Sequence, residues 1–394
     1  MSIQDVVVAS YVRTAFGKAN KGGFKDTRPD TMAAEVIKEA VKRAEGLDPA
    51  DIEDVALGCA MPEGEQGMNV ARIASVLAGL PDEVPALTVN RFCSSGVQTI
   101  AQMAERIMLG AIDVAVAGGT ESMSMVPMGG NKASANPKLM AEYPEIYISM
   151  GATAENVARR FDVSRQAQDE FALKSQTKAA EAWDRGFFKD EVMPLEAEWV
   201  DPNSGERVTK TVDSDENVRP GGSMEVMAKL PTVFASDGKG SVTPGNASPL
   251  TDGAAATVLM SADKAESLGI EPMGYYRAFQ VAGVAPDIMG IGPVPAIRKL
   301  LKKEGMEVDD IDLFEINEAF ASQSVYCQRE LGIPDEKLNV NGGAIAIGHP
   351  LGVSGTRMAG TLLRALEESG GRFGVVSMCI GGGMGAAALF ERVG

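Results

Sequence analysis

The sequence predicts an α/β protein: two similar β/α domains packed together, with a long segment inserted between them. Three observations carry this. Strand-like apolar runs alternate with helical patterns along most of the 394 residues. The alternation repeats itself at a spacing of about 255 residues. Between the copies, over residues 121–247, the pattern breaks down. Length alone suggests roughly two to three domains, in keeping with that division.

The N-terminal Met-Ser-Ile-Gln-Asp-Val-Val-Val lacks the basic start and long apolar core of a signal peptide, so it reads as a first strand. The segment Tyr11–Gly17 that follows carries no GxGxxG, and GxxxxGK[ST] occurs nowhere, which disfavours dinucleotide enzymes and P-loop NTPases. A helix is expected over Thr31–Ala44, stopped by Gly46, then an acidic turn at Asp51–Asp54 entering the strand Val55-Ala56-Leu57. Val89-Asn90 precedes Ser95-Gly96 and a helix to Leu109. That helix places Val97, Ile100, Ala104, Ile107 and Met108 on its inner face and stops at Gly110. The strand Asp113–Gly119 closes the unit.

The second half repeats the order. A helix over Val294–Lys303 stops at Gly305, and Asp310-Ile311-Asp312 enters the strand Leu313–Ile316. Val340-Asn341 precedes Ser354-Gly355, a helix to Leu366 and the strand Gly374–Cys379. Such alternation predicts mostly parallel sheets. The insertion holds one clear helix, Arg165–Arg185, a polar turn-rich run over Asp201–Gly222, and a return to the first domain through the strand Ala254–Met260. The expected domains are therefore 1–120 plus 248–272, the inserted 121–247, and 273–394.

Composition narrows the function. With 54 acidic against 37 basic residues the net charge is −17, which argues against nucleic-acid and anionic-membrane partners. Four cysteines with no CxxC spacing make neither a disulfide framework nor a zinc site, and they suit a reducing, cytoplasmic setting. The stretches 338–356 and 373–390 are uncharged apart from the single histidine, yet each holds five glycines, as loops around a site would. One histidine in the whole chain excludes any mechanism that needs two.

The reactive residues lie in those loops and their counterpart. Cys93, in Asn90-Arg91-Phe92-Cys93-Ser94-Ser95-Gly96, falls at a strand-to-helix turn, where free N–H groups and the helix dipole are expected to stabilise a thiolate. A small buried hydrophobe is the plain alternative. His349 sits among glycines in the loop that corresponds to the Cys93 loop, so packed repeats should bring thiol and imidazole together as nucleophile and base. Cys379 runs into Ile380-Gly381-Gly382-Gly383, whose N–H groups can meet an oxyanion. Asn317, after the strand Leu313–Ile316, either caps the next helix or holds a water at the sheet edge. Cys59 and Cys327 have no comparable setting.

Four blocks, Asn-Arg-Phe-Cys-Ser-Ser-Gly at 90–96, Asn-Glu-Ala-Phe at 317–320, Gly-Gly-Ala-Ile-Ala-Ile-Gly-His-Pro-Leu-Gly at 342–352 and Cys-Ile-Gly-Gly-Gly-Met-Gly at 379–385, resemble the motif blocks of the thiolases. They occur in order, and the resemblance spans essentially the whole chain. It implies the duplicated thiolase fold with a loop domain at 121–247 that binds coenzyme A. It implies no resident cofactor and no metal, with coenzyme A as co-substrate. Carried onto this sequence, it makes Cys93 the acylated nucleophile, His349 its base, and Cys379 the acid/base at the acetyl-CoA carbon. Asn317 would fix a water that forms one oxyanion hole with His349, and the N–H groups of Cys93 and Gly381 would form another. Coenzyme A contacts would come from Met150, Arg219, Met227, Leu230, Phe234, Ser248, Ala319 and Phe320, with Arg219 at the nucleotide end.

The implied activity is thiolytic cleavage of 3-ketoacyl-CoA in fatty acid β-oxidation. Ser149 stands where short-chain acetoacetyl-CoA thiolases tend to have histidine, and Val226 replaces their serine near the pantetheine. Both favour the degradative branch over a biosynthetic acetyl-CoA acetyltransferase. Cys-His-His ketoacyl synthases share the fold but need a second histidine, and a non-catalytic acyl-CoA-binding relative would not be expected to keep all three reactive residues. A homodimer or homotetramer is expected, with a β-oxidation partner subunit left open.

Overall fold

The computed structural model describes residues 3–235 and 237–394; the first two residues of the expected opening strand lie outside these. The first half runs β1 (Val6–Thr14), β2 (Gly17–Lys18), α1 (Pro29–Arg43), β3 (Asp54–Gly58), α2 (Val70–Leu77), β4 (Ala86–Val89), α3 (Ser95–Met108) and β5 (Val114–Ser122). The insertion carries α4 (Pro137–Glu142), α5 (Met150–Arg160), α6 (Arg165–Asp184), β6 (Val192–Met193), β7 (Leu195–Val200), β8 (Arg207–Val212) and α7 (Met224–Ala228). The chain then adds β9 (Thr251–Ser261) and α8 (Ala262–Leu268). The second half follows as β10 (Gly274–Gly283), α9 (Pro293–Glu304), β11 (Leu313–Ile316), α10 (Ala321–Leu331), α11 (Ala344–Ile347), α12 (Ser354–Ser369), β12 (Phe373–Ile380) and β13 (Met384–Arg392).

The main sheet runs in the order β11-β12-β13-β10-β1-β9-β5-β3-β4, with β2 paired to β9 and β6 to β1 off that path. Antiparallel pairing of β1 with β10 joins the halves at its centre. On either side of that join the order mirrors itself, β9-β5-β3 answering β13-β12-β11. An isolated parallel bridge, Phe314 to Leu338, stands where β4 stands in the first half. Helices α3 and α12 pack on each other and each on the strands of its own half, while α1 and α9 cover the other faces.

The expectation of mostly parallel sheets needs correction. Among the described residues the parallel strand pairs are only β3–β4, β3–β5, β11–β12 and the short β1–β6. The last strand of each half returns directly beside its predecessor, antiparallel: β13 on β12 through a tight glycine turn, β9 on β5 after the insertion. The insertion thus replaces, in the first half, a turn that the second half makes with Gly381–Gly383. The opening strand also runs on to Thr14, since all nine of its residues are buried between covering layers. The polar run over Asp201–Gly222 contains β8, paired with β7 in a two-stranded sheet; five of its six residues are exposed, so no apolar alternation marked it. On α3 the inner face includes Met103, whereas Met108 is only half-buried.

A buried ion cluster ties the insertion to the core. Arg13 on β1 pairs with Asp215 through Nη1 (2.7 Å) and Nη2 (2.9 Å) and with Glu191 through Nε (3.0 Å). Asp215 also accepts the Phe16 N–H and the Trp183 indole N–H. Fully buried charges persist only when paired and bonded in this way.

Candidate active site

Cys93 lies in a tight turn, Phe92–Ser94, between β4 and α3. Its neighbours hold that turn. Asn90 Oδ1 accepts the Phe92 N–H (2.9 Å), and Ser95 Oγ accepts the Arg91 N–H (2.8 Å) while donating to the Phe92 carbonyl (2.7 Å). Phe92 adopts φ +44°, a conformation that costs an ordinary side chain and that this bonding enforces. The N–H groups of Gly381 and of Cys93 itself face the Cys93 sulfur. The expected thiolate is corrected here. Cys93 is 1% exposed, and burial pushes its thiol up to about 12 despite those two donors.

Cys379 is the penultimate residue of β12, opposite Gly385 of β13. The turn between them passes through Gly383 at φ +87°, where an added Cβ would come within 2.4 Å of the Val284 carbonyl. Only glycine fits. Gly381 has ordinary space around it, with Met150 and Phe92 each 3.8 Å from where a Cβ would stand. Its contribution is its N–H and not its small size. Burial and the neighbouring Cys93 raise the Cys379 thiol well above its ordinary value.

His349 is buried, and burial with the Arg357 charge lowers its pKa to about 3, so the imidazole is neutral. Its Nδ1 lies 2.6 Å from Ser354 Oγ, whose hydroxyl donates to the Pro350 carbonyl. Ser354 therefore accepts from Nδ1–H, which leaves the lone pair on Nε2. Asn317 Nδ2 approaches that nitrogen at 3.2 Å. Asn317 Oδ1 is buried without a protein partner among the described residues, as a group that binds something else would be. The Asn317 N–H also bonds the Ser377 carbonyl (2.8 Å), two residues before Cys379, which joins the imidazole side of the site to the thiol side. Among the described residues no hydrogen bond links the Cys93 sulfur to the imidazole; catalytic bonds often tighten only in the loaded site.

Of the residues the resemblance names for coenzyme A, some pack beside Cys379 and others lie farther out. Met150 packs on a buried cluster holding Cys379, Ala319 and Phe320. The Phe234 and Phe320 rings meet edge to face at 6.0 Å. Ser248 bonds the Ala319 carbonyl through its N–H (3.0 Å) and its hydroxyl (3.1 Å). Met227 and Leu230 flank Gly245, and both their carbonyls accept from Arg165. Arg219 lies farther out, exposed, its N–H held by Gln176 (2.7 Å).

Three residues bonded to His349 or to its loop lie outside the sequence reading of the site. Ser354 reads from the sequence only as a helix start. Thr251 accepts the His349 N–H through Oγ1 (3.2 Å) from β9, at the far end of the insertion. Glu121, buried in β5, accepts the Gly352 N–H (2.8 Å). A carboxylate inside the apolar run Ala117-Gly118-Gly119-Thr120-Glu121 was the available signal, because a buried charge needs fixed donors.

The family model of the thiolase N-terminal domain matches residues 6–263 and that of the C-terminal domain residues 270–392. The chain is 50% identical over 392 residues to a 3-ketoacyl-CoA thiolase of Bacillus subtilis, covering 99% of this chain and all of that one. It is 50% identical over 396 residues to the mouse peroxisomal 3-ketoacyl-CoA thiolase A, covering 100% of this chain and 92% of the relative. The crystal structure of the Bacillus anthracis acetyl-CoA acetyltransferase superposes with a TM-score of 0.90 at 39% identity, each chain fully covered.

Proposed function

The chain belongs to the thiolase family, and from that premise we propose how its residues perform the cleavage of 3-ketoacyl-CoA by coenzyme A. The products are acetyl-CoA and an acyl-CoA shortened by two carbons. The observation that carries the residue roles is the convergence of two N–H groups and a second thiol on the Cys93 sulfur.

In the empty site both thiols and the imidazole are neutral. Cys93 attacks the 3-keto carbon as its proton passes to His349 Nε2, the unprotonated ring nitrogen, in place of the Asn317 amide that faces it in the empty site. Negative charge on the attacked keto oxygen is met by the N–H groups of Cys93 and Gly381, which face the attacking sulfur. Carbon–carbon cleavage releases the acetyl-CoA enolate, which Cys379 protonates. The imidazolium and a water on Asn317 stabilise the charge that develops on the thioester oxygen of the departing enolate. Coenzyme A then attacks the acyl group, its thiol proton passing to the Cys379 thiolate; the bond to Cys93 breaks as the new thioester forms, and the Cys93 sulfur takes back the proton held by His349. Met150, Met227, Leu230, Phe234, Ser248, Ala319 and Phe320 line the approach, and Arg219 meets the nucleotide phosphates.

Degradative thiolysis is favoured over synthesis of acetoacetyl-CoA by the identity to 3-ketoacyl-CoA thiolases, which exceeds that to the acetyl-CoA acetyltransferase. Ser149 serves as N-cap of α5, and Val226 is exposed on α7, 57% accessible. The test is kcat/KM for thiolysis across 3-ketoacyl-CoA chain lengths. A value that rises beyond acetoacetyl-CoA supports the degradative reading; a maximum at acetoacetyl-CoA overturns it.

A second copy of the chain is part of the proposal. Strand β4 is a free sheet edge, and apolar Met68, Val76 and Leu77 are exposed beside it. Edge strands of this kind invite pairing. A cytoplasmic setting is supported by four free thiols. Among the described residues no helix is long and apolar enough to cross a membrane.

A further inference from the structure

Strand register carries the duplication down to single residues. Cys379 on β12 stands opposite Gly385 on β13, and Glu121 on β5 stands opposite Gly253 on β9. Both glycines open the same run, Gly-Ala-Ala-Ala. Glu121 is therefore the counterpart of Cys379. Cys93 stands two residues before Ser95-Gly96, and Gly352 two residues before Ser354-Gly355. These helix starts meet reciprocally: a Cβ on Gly96 would lie 2.8 Å from the Thr356 nitrogen, and one on Gly355 2.3 Å from the Val97 nitrogen. Gly352 is thus the counterpart of Cys93. The fold builds two equivalent centres, one with two thiols and one with a carboxylate and a glycine.

In the second centre the carboxylate is bonded on all sides. Glu121 Oε2 accepts the N–H groups of Ala60 (2.7 Å) and Gly352 (2.8 Å). Oε1 accepts the Met61 N–H (3.2 Å) and Gln66 Nε2 (2.7 Å). The space that the Cys93 side chain fills in the first centre is closed here. A Cβ on Gly352 would meet the Gly58 carbonyl at 2.7 Å, Cys59 Cα at 2.8 Å and Glu121 Oε2 at 2.9 Å.

We infer that Glu121 is a positioning residue for the base: by fixing the Gly352 N–H, three residues past His349, it sets where the imidazole stands. This rests on the reading of His349 as the base of Cys93. Every group facing Glu121 is a donor, so glutamine must turn its NH2 toward N–H groups on one side or the other. Electrostatics alone predicts the opposite outcome, because the Glu121 charge opposes ionisation of Cys93 and its removal would make that thiol more reactive.

The single histidine makes the test direct. Full-length protein labelled with 15N-histidine gives one imidazole, whose two nitrogen shifts report tautomer and environment. In Glu121→Gln the expected result is split or displaced imidazole signals and acetylation of Cys93 by acetyl-CoA slowed about a hundredfold, the usual penalty of a small misplacement. Alkylation of Cys93 by iodoacetamide should be unchanged or faster. Imidazole signals identical to wild type, or acetylation and alkylation slowed alike, would overturn the inference. Should Glu121→Gln not fold, Glu121→Asp draws the carboxylate back by one methylene from the Gly352 N–H, and displaced imidazole signals are again expected; identical ones count against the inference. A wild type that never acetylates Cys93 would remove the catalytic reading, while the imidazole signals still decide whether Glu121 sets the loop.

Discussion

Burial sets the protonation of the reactive groups before any substrate arrives. Cys93, pushed up to about 12, and His349, held near about 3, start as thiol and imidazole and not as an ion pair. Alkylation of Cys93 in the empty enzyme should therefore climb steadily from about pH 7 to about pH 9, as a thiolate-limited reaction of a high-pKa thiol does. A plateau near neutrality, read from rates of iodoacetamide labelling, would show a preformed thiolate. The histidine also links folding to acid. Its folded pKa lies below the ordinary value of 6.5, so unfolding takes up a proton as pH falls through the interval from 6.5 to about 3. The site is unpenalised above that window and loses stability progressively within it. Urea unfolding of His349→Gln should accordingly show a shallower acid-side decline than wild type. Cys379→Ser separates the half-reactions: acylation of Cys93 by a simple acyl-CoA needs no carbon-centred proton transfer and should persist, whereas thiolysis should fall by about two to four orders of magnitude. Equal losses in both would remove the role assigned to Cys379.

Elements place those residues, and the two ends of α12 and β1 show how. Ser354, in the first turn of α12, orients the imidazole through Nδ1. Ser354→Ala should lower kcat about ten- to a hundredfold with the fold retained, the range typical of removing a partner that orients a histidine. Unchanged kcat in a steady-state assay would exclude that role. Arg13 on β1 holds Glu191 and Asp215 in the core, and Arg13→Met strands both, so chemical unfolding should report a loss of about 3–5 kcal/mol. How legible these elements were depended on what faced them. α1, α3, α9 and α12 carried helical apolar spacing and glycine stops and could be read directly. β8 has five exposed residues and no apolar face, and its pairing with β7 is visible only in three dimensions. The strand directions were hidden for a similar reason, since alternation of strands and helices does not say that β9 and β13 fold back antiparallel. Cys93, His349, Cys379 and Asn317 stood in distinctive loops. Thr251 reaches His349 across 98 residues of sequence, and Glu121 reaches Gly352 across 231.

At the scale of the whole molecule, duplication explains why one chain can carry a two-sided site. The halves meet through β1 and β10, and their equivalent helix starts on α3 and α12 pack together, which brings the Cys93 turn against the half that holds His349 and Cys379. The same sheet ends at β4 with an open edge. Sedimentation should give a dimer or tetramer, and Leu77→Glu should shift it toward monomer; a wild-type monomer at micromolar concentration would remove the second copy from the proposal. The central claim is that Cys93 receives the acyl group cleaved from a 3-ketoacyl-CoA. Incubating the enzyme with such a substrate in the absence of free coenzyme A, followed by peptide mapping by mass spectrometry, tests it most directly. The account predicts an acyl group two carbons shorter than the substrate chain on the peptide containing Cys93, with acetyl-CoA released. An adduct on Cys59, Cys327 or Cys379 in its place, or acetyl-CoA formed with Cys93 unmodified, would contradict it.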